Sequence, residues 1–174
     1  MEINAAMKSE NKNIQAWLML AKETRQHGGN LGYDDSAAEY YSWDSTVPNH
    51  SEPKIHDKIV IWDGETLVGT SVIQGIDVGS SEKIRLRCPH CNMTKIKQRH
   101  NTSPKYRCHN PECRTEFENP KQEMISVTTY RSNHPNFWYD LHGQLEAEEL
   151  REICKQPKSQ HSLRPLKWLD FLKA

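Results

Sequence analysis

Along the chain, short apolar runs alternate with turn-rich polar segments. Ile14, Trp17, Leu18 and Ala21 recur at i, i+3, i+4 and i+7, which predicts an amphipathic helix over residues 13–26, ended by Gly28-Gly29. Residues 30–36 are rich in turn formers, and Glu39 to Asp44 (EYYSWD) reads as a strand leaving them. Lys58 to Trp62 (KIVIW) is a strand, Asp63-Gly64 a hairpin turn, and Thr66 to Ile76 its partner, with Gly69 and Gly75 as bulge positions. Lys83 to Arg87 (KIRLR) and Glu123 to Arg131 (EMISVTTYR) are further strands on either side of a cysteine-bearing stretch. Asn133 to Gly143 is a loop carrying Phe137, Trp138 and Tyr139. Leu145 to Cys154 is a short helix, and Lys155 to Arg164 a polar loop. Pro165 suits the first turn of a closing helix over Leu166 to Ala174. The order helix, strand, hairpin, ribbon, strand, helix, loop, helix predicts an α+β fold: a small, strongly curved sheet or barrel with helices against it.

Composition narrows the options. Lys+Arg and Asp+Glu are both 23 in 174 residues, which argues against a histone-like coat for nucleic acid. Hydrophobic residues make up 35%, so the core is modest and a bound metal would reinforce it. No apolar run is long enough to predict a membrane helix, and the start Met1-Glu2-Ile3-Asn4 does not read as a secretory signal. Five cysteines, an odd number, argue against a disulfide framework.

Four of the five form two close pairs, Cys88-x2-Cys91 and Cys108-x4-Cys113, with sixteen residues between them. Two short turns can aim four thiolates at one point, the ligand set of a structural rather than a catalytic zinc. With strands leading into each pair, the stretch reads as a zinc ribbon over about residues 84–119. The rival readings are free thiols, or His90 or His109 replacing one cysteine. Cys154 stands apart and reads as a small buried hydrophobe.

The densest chemistry outside the ribbon is the run from Tyr40 to His50, YYSWDSTVPNH. Aromatic faces interleaved with short polar side chains suit a pocket that stacks a flat heterocycle and hydrogen-bonds its edge. The bland alternative is a core strand with a capped turn.

This run resembles the W-S-T-type motif of YTH domains, within the wider superfamily that also holds PUA, EVE, ASCH and SRA domains. Ile59 to Gly69 (IVIWDGETLVG) is similar to barrel strands of that family, and Pro157 to Arg164 (PKSQHSLR) to its polar nucleic-acid-contacting stretch. With its inserted cysteine ribbon, the chain looks most like the EVE- or YTH-like reader region of prokaryotic modification-dependent HNH endonucleases. The resemblance covers most of residues 38–77 and 123–174. It implies a PUA-like curved barrel with flanking helices, forming one domain over residues 1–174 into which the ribbon is inserted.

The resemblance further implies a cytosolic module that flips 5-methylcytosine or 5-hydroxymethylcytosine out of double-stranded DNA, with any HNH nuclease lying outside the chain. Trp43 would be one wall of the base cage, with Trp62 and Trp138 both candidates for the second. Ser42, Asp44, Ser45 and Asn49 would read the base edge. Asp44 departs from the small residues usual there, and a carboxylate could accept a hydrogen bond from cytosine N4. Lys158, Gln160, His161 and Arg164 would touch phosphates. The ribbon's Lys95, Lys97, Arg99, His100, Lys105 and Arg107 form a second basic cluster, which reads equally as ordinary solvated surface. No catalytic set, P-loop or nucleophile elbow is found, so a binding module is expected. The alternatives are a YTH- or PUA-type RNA reader of N6-methyladenine, and a nucleotide hydrolase using Asp44 and His50.

Overall fold

The computed structural model describes residues 14–21 and 33–174. Eleven strands dominate these residues: β1 (Ala16–Leu20), β2 (Tyr40–Asp44), β3 (Lys58–Trp62), β4 (Leu67–Val72), β5 (Gly75–Arg87), β6 (Ile96–Gln98), β7 (Tyr106–Cys108), β8 (Glu116–Phe117), β9 (Lys121–Asn133), β10 (Tyr139–Asp140) and β11 (Leu163–Leu166). Among the described residues helix is confined to Ala147–Glu152, Trp168–Phe171 and a 3-10 turn at Pro135–Phe137. The fold is mixed and sheet-rich, α+β in class. No helix among the described residues is long and apolar enough to cross a membrane.

The chain divides into two compact units, one of residues 1–25, 33–79 and 128–174, the other of 26–32 and 80–127. The first unit is built on a five-stranded sheet in the order β10-β4-β3-β1-β11. Within it β1 and β3 run parallel, and the other pairs are antiparallel. β2 belongs to a second sheet in the order β2-β9-β5. The two sheets are open, so the expected barrel is not formed.

The five-stranded sheet is buried on both faces. Along β1 and β3, Ala16, Leu18, Val60 and Trp62 join one core cluster with Leu145, Leu150, Cys154 and Phe171. The alternate residues Trp17, Met19, Ile59 and Ile61 join another with Tyr41, Trp43 and Val47. This accounts for the departure from expectation at β1. A strand covered on both faces is apolar at every position, so its two-residue period disappears. The residual spacing of Ile14, Trp17, Leu18 and Ala21 then mimics a helix, whereas Ala16–Leu20 is a central strand. The rest of that expected helix, and Gly28-Gly29, lie outside the described residues.

Two other expectations are corrected. Pro165 does not open a helix. It lies in β11, opposite Trp17, on the sheet edge where a missing N–H costs no ladder bond. The closing helix shrinks to Trp168–Phe171. The β3–β4 register shifts between Ile61, paired with Gly69, and Trp62, paired with Leu67, so the irregularity adjoins Gly69 as expected. Gly69 is also required by close approach: a Cβ there would strike the Trp138 ring and come within 2.7 Å of the Tyr139 carbonyl oxygen.

The second unit contains a three-stranded sheet, β6-β7-β8, and a very small core. Among the described residues its core cluster consists of Cys88, Cys108 and Phe117, with Cys91, Ile96, Tyr106 and Cys113 packed against them.

Candidate functional site

The two cysteine pairs sit on two similar turns. Cys88 follows directly on β5; its N–H donates to Met93 O and its carbonyl accepts from Asn92 N, both at 2.9 Å. Cys108 ends β7, and the N–H groups of Cys113 and Arg114 both donate to Asn110 O at 3.0 Å. Asn92 and Arg114 close the turns in the left-handed region, at φ 62° and 50°. All four Sγ atoms lie within 4.8 Å of one another. Cys88 Sγ is 3.8 Å from Cys113 Sγ, and Cys91 Sγ is 3.6 Å from Cys108 Sγ. A tetrahedron with Zn–S bonds of about 2.3 Å has S···S edges of about 3.8 Å, so these separations suit a thiophilic dication such as zinc. His90 and His109 take no part in the cluster; the His90 ring leans on Phe117 instead.

The thiols are unlike one another. Hydrogen bonding from the Met93 backbone, outweighing desolvation, brings Cys91 down to about 6. Burial pushes Cys108 up to about 12. The Thr115 hydroxyl and backbone N–H hold Cys113 below its ordinary value. A cation at the centre would offset the cost of a buried Cys108 thiolate.

The first unit holds a cavity of about 490 Å³ where β2 meets β9. The register sets Ser42 opposite Arg131, Trp43 opposite Tyr130, and Asp44 opposite Thr129, and all six line the cavity. Trp43 is 1% exposed and stacks on Tyr130, with ring centroids 5.4 Å apart and planes 9° from parallel. Its Nε1–H donates to His50 O at 2.8 Å. Asp44, also buried, accepts from the Tyr33 hydroxyl at 2.9 Å, Thr46 N–H at 2.8 Å and Thr46 Oγ1 at 2.6 Å. Ser42 Oγ accepts from Arg131 Nε at 3.3 Å. Asp34 and Asp77 complete the charged lining, so three carboxylates face one guanidinium. That balance disfavours a phosphate in the cavity and favours a neutral or amine-bearing ligand. Tyr130 also lines a second cavity, of about 600 Å³, with His50, Ile55 and Ile76, and its hydroxyl lies 3.3 Å from His50 Nδ1.

Of the expected base-reading residues, the fold therefore gathers Ser42, Trp43 and Asp44 around one cavity. Ser45 and Asn49 serve the backbone: Ser45 Oγ accepts from Thr128 N–H at 3.1 Å, and Asn49 Nδ2 donates to Leu163 O at 2.9 Å. Trp62 lies in the other core cluster, flanked by the guanidinium groups of Arg151 and Arg164 at 5.4 and 5.1 Å. Trp138 packs beside the Trp43 cluster and tilts against His134, away from the cavity lining. Sequence reading missed Tyr130, Tyr33, Asp34, Asp77 and Arg131. Tyr130 was legible only as one aromatic in a strand; the β2–β9 register alone sets it on Trp43.

The polar loop splits in the same way. Lys158, Gln160 and His161 are exposed. Arg164 is 5% exposed; its Nε donates to His161 O at 2.7 Å, and its Nη1 has no partner among the described residues. It braces the loop over Trp62 rather than facing solvent. In the ribbon, Lys95, Lys97, His100, Lys105 and Arg107 are exposed, while Arg99 pairs with Glu116 at 2.8 Å.

Fold and site together define a class: a sheet-rich α+β protein with a four-cysteine cluster that could hold a metal ion and an acidic, aromatic-floored cavity. No protein-family model matches the chain, and neither a curated protein nor a solved structure matches it.

Proposed function

We propose that the four cysteines hold one structural zinc ion and that the protein is a reader of DNA carrying a modified base. The reader would take the flipped base into the β2–β9 cavity. The observation that carries this reading is the cavity itself. Its volume falls within the roughly 300–1,000 Å³ of small-ligand sites. A flat stack of Tyr130 on Trp43 forms one wall, and carboxylates surround it. An extruded base needs a stacking surface and edge partners to offset unstacking, a cost of a few kcal/mol. Asp44 and Asp77 supply acceptors suited to an exocyclic amine such as cytosine N4, which favours 5-methylcytosine or 5-hydroxymethylcytosine. Tyr130, half-buried, is the ring a base would meet, and Trp43 backs it from the core. In this role the chain serves as the specificity module of a modification-dependent endonuclease, with an HNH nuclease supplying cleavage.

The test is a titration of the zinc-loaded protein with matched duplexes carrying 5-methylcytosine, 5-hydroxymethylcytosine, N6-methyladenine or no modification. A preference for a modified cytosine that Tyr130→Ala removes, with zinc content unchanged, supports the reading. Equal affinity for all duplexes overturns it. Tighter binding to single-stranded RNA carrying N6-methyladenine would favour the RNA-reader alternative, and turnover of free nucleotides the hydrolase alternative.

A further inference from the structure

The β6–β7 hairpin has a register whose consequence is chemical. Ile96 pairs with Cys108, Lys97 with Arg107, and Gln98 with Tyr106. The ladder continues at both ends, with Arg99 N–H donating to Lys105 O at 2.7 Å and His109 N–H to Lys95 O at 2.6 Å. Alternate residues of a strand share a face. One face therefore carries Ile96, Tyr106 and Cys108 and packs into the metal-binding core. The other carries three cross-strand pairs that are all basic in type: Lys95 with His109, Lys97 with Arg107, and Arg99 with Lys105. Like charges set directly opposite one another destabilise a sheet.

The neighbouring strand neutralises this face only in part. Glu116 lies opposite Arg107, but its carboxylate goes to Arg99 at 2.8 Å, and Glu118 accepts from the Ser103 hydroxyl at 2.8 Å. Lys95, Lys97 and Arg107 have no ion-pair partner among the described residues. The bias extends to the whole unit: residues 80–127 hold ten Lys and Arg against five Asp and Glu, in a chain whose total is neutral.

We propose that this face of the hairpin is a docking ladder for the phosphodiester backbone of nucleic acid. Its basic pairs recur every two residues, about 6.6 Å along the strand, a step suited to successive phosphates. The face carries no apolar side chain, so it lacks the buried core of a protein interface and the apolar side of a membrane-surface element. The proposal stands whether or not the β2–β9 cavity accepts a base.

The experiment measures affinity of the zinc-loaded full chain for an unmodified duplex by fluorescence anisotropy between about 50 and 200 mM salt, where each phosphate contact contributes about 0.9 to the log–log slope. The Lys97→Gln/Arg107→Gln double variant is expected to flatten the slope by about 2 and to weaken modified and plain duplexes by the same factor. Lys173→Gln, an exposed control outside the ribbon, leaves the slope as it was. Should the double variant lose its metal, Lys95→Gln alone decides, with an expected change of about 0.9. An unchanged slope overturns the proposal, as does tighter binding to polyglutamate or anionic vesicles than to duplex. A flattened slope without modified-base preference leaves the ladder standing and removes the reader. Preference with an unchanged slope does the reverse.

Discussion

Replacing Trp43 by alanine separates two roles that its sequence setting left open, core packing and cage wall. The indole is 1% exposed, stacks on Tyr130 at 5.4 Å and donates to His50 O at 2.8 Å. Truncating a buried aromatic to alanine costs about 3–5 kcal/mol. An aromatic pair contributes about 0.5–1.5 kcal/mol beyond burial. A carbonyl left without its donor adds about 1–3 kcal/mol if it stays buried. These terms overlap, so the expected loss is about 4–5 kcal/mol, a large share of the roughly 5–15 kcal/mol of a typical domain. At about 2–4 °C per kcal/mol for a chain of this size, Tm should fall by roughly 8–20 °C. Trp43→Phe keeps a stacking ring and loses only the indole donor and some volume, so its loss should be about 1–3 kcal/mol. Thermal unfolding by circular dichroism, with urea titration for the free energies, measures both. A fall in Tm under about 3 °C for Trp43→Ala would refute the reasoning, since a ring that is free to leave costs little. The same numbers make Tyr130→Ala the better probe of ligand binding.

Three further outcomes follow from the packing. One equivalent of zinc should copurify with the chain, and a strong chelator should expose four additional thiols to a thiol reagent while amide protection is lost across β6–β8; structural zinc contributes about 10–16 kcal/mol to finger peptides, and the ribbon core is otherwise too small. Burial holds the His134 imidazole below its ordinary value, with its ring Nε2 hydrogen-bonded to Ala37 O at 2.8 Å. Above about pH 6.5 both folded and unfolded forms keep it neutral. Below that the unfolded chain binds the proton first, so stability should fall from about pH 6.5 towards the lower folded value, and His134→Gln should flatten that segment of the profile. Gly69→Ala should destabilise by about 1–3 kcal/mol by urea titration, because the added Cβ meets the Trp138 ring and the Tyr139 carbonyl.

What could be read from the chain alone was whatever depends on local spacing. Two short cysteine turns, separated by sixteen residues, marked the four-cysteine cluster, and the KIVIW run with Asp63-Gly64 marked β3 and its turn. Ala16–Leu20 resisted because burial on both faces erases the alternation that identifies a strand. The cavity resisted for a different reason. Ser42, Trp43 and Asp44 are neighbours in sequence, but Tyr130 and Arg131 reach them only through the β2–β9 register, almost ninety positions away. Register also decided which basic residues share a face, leaving Lys97 and Arg107 exposed together while Arg99 turned to Glu116 and Arg164 went into the core. Residue type and short-range spacing settle what chemistry a segment carries, because ligand geometry and turn preferences are local. Which face a side chain occupies, and what it meets there, depends on the pairing of distant strands and on what covers each sheet, and those were decided only by the tertiary structure.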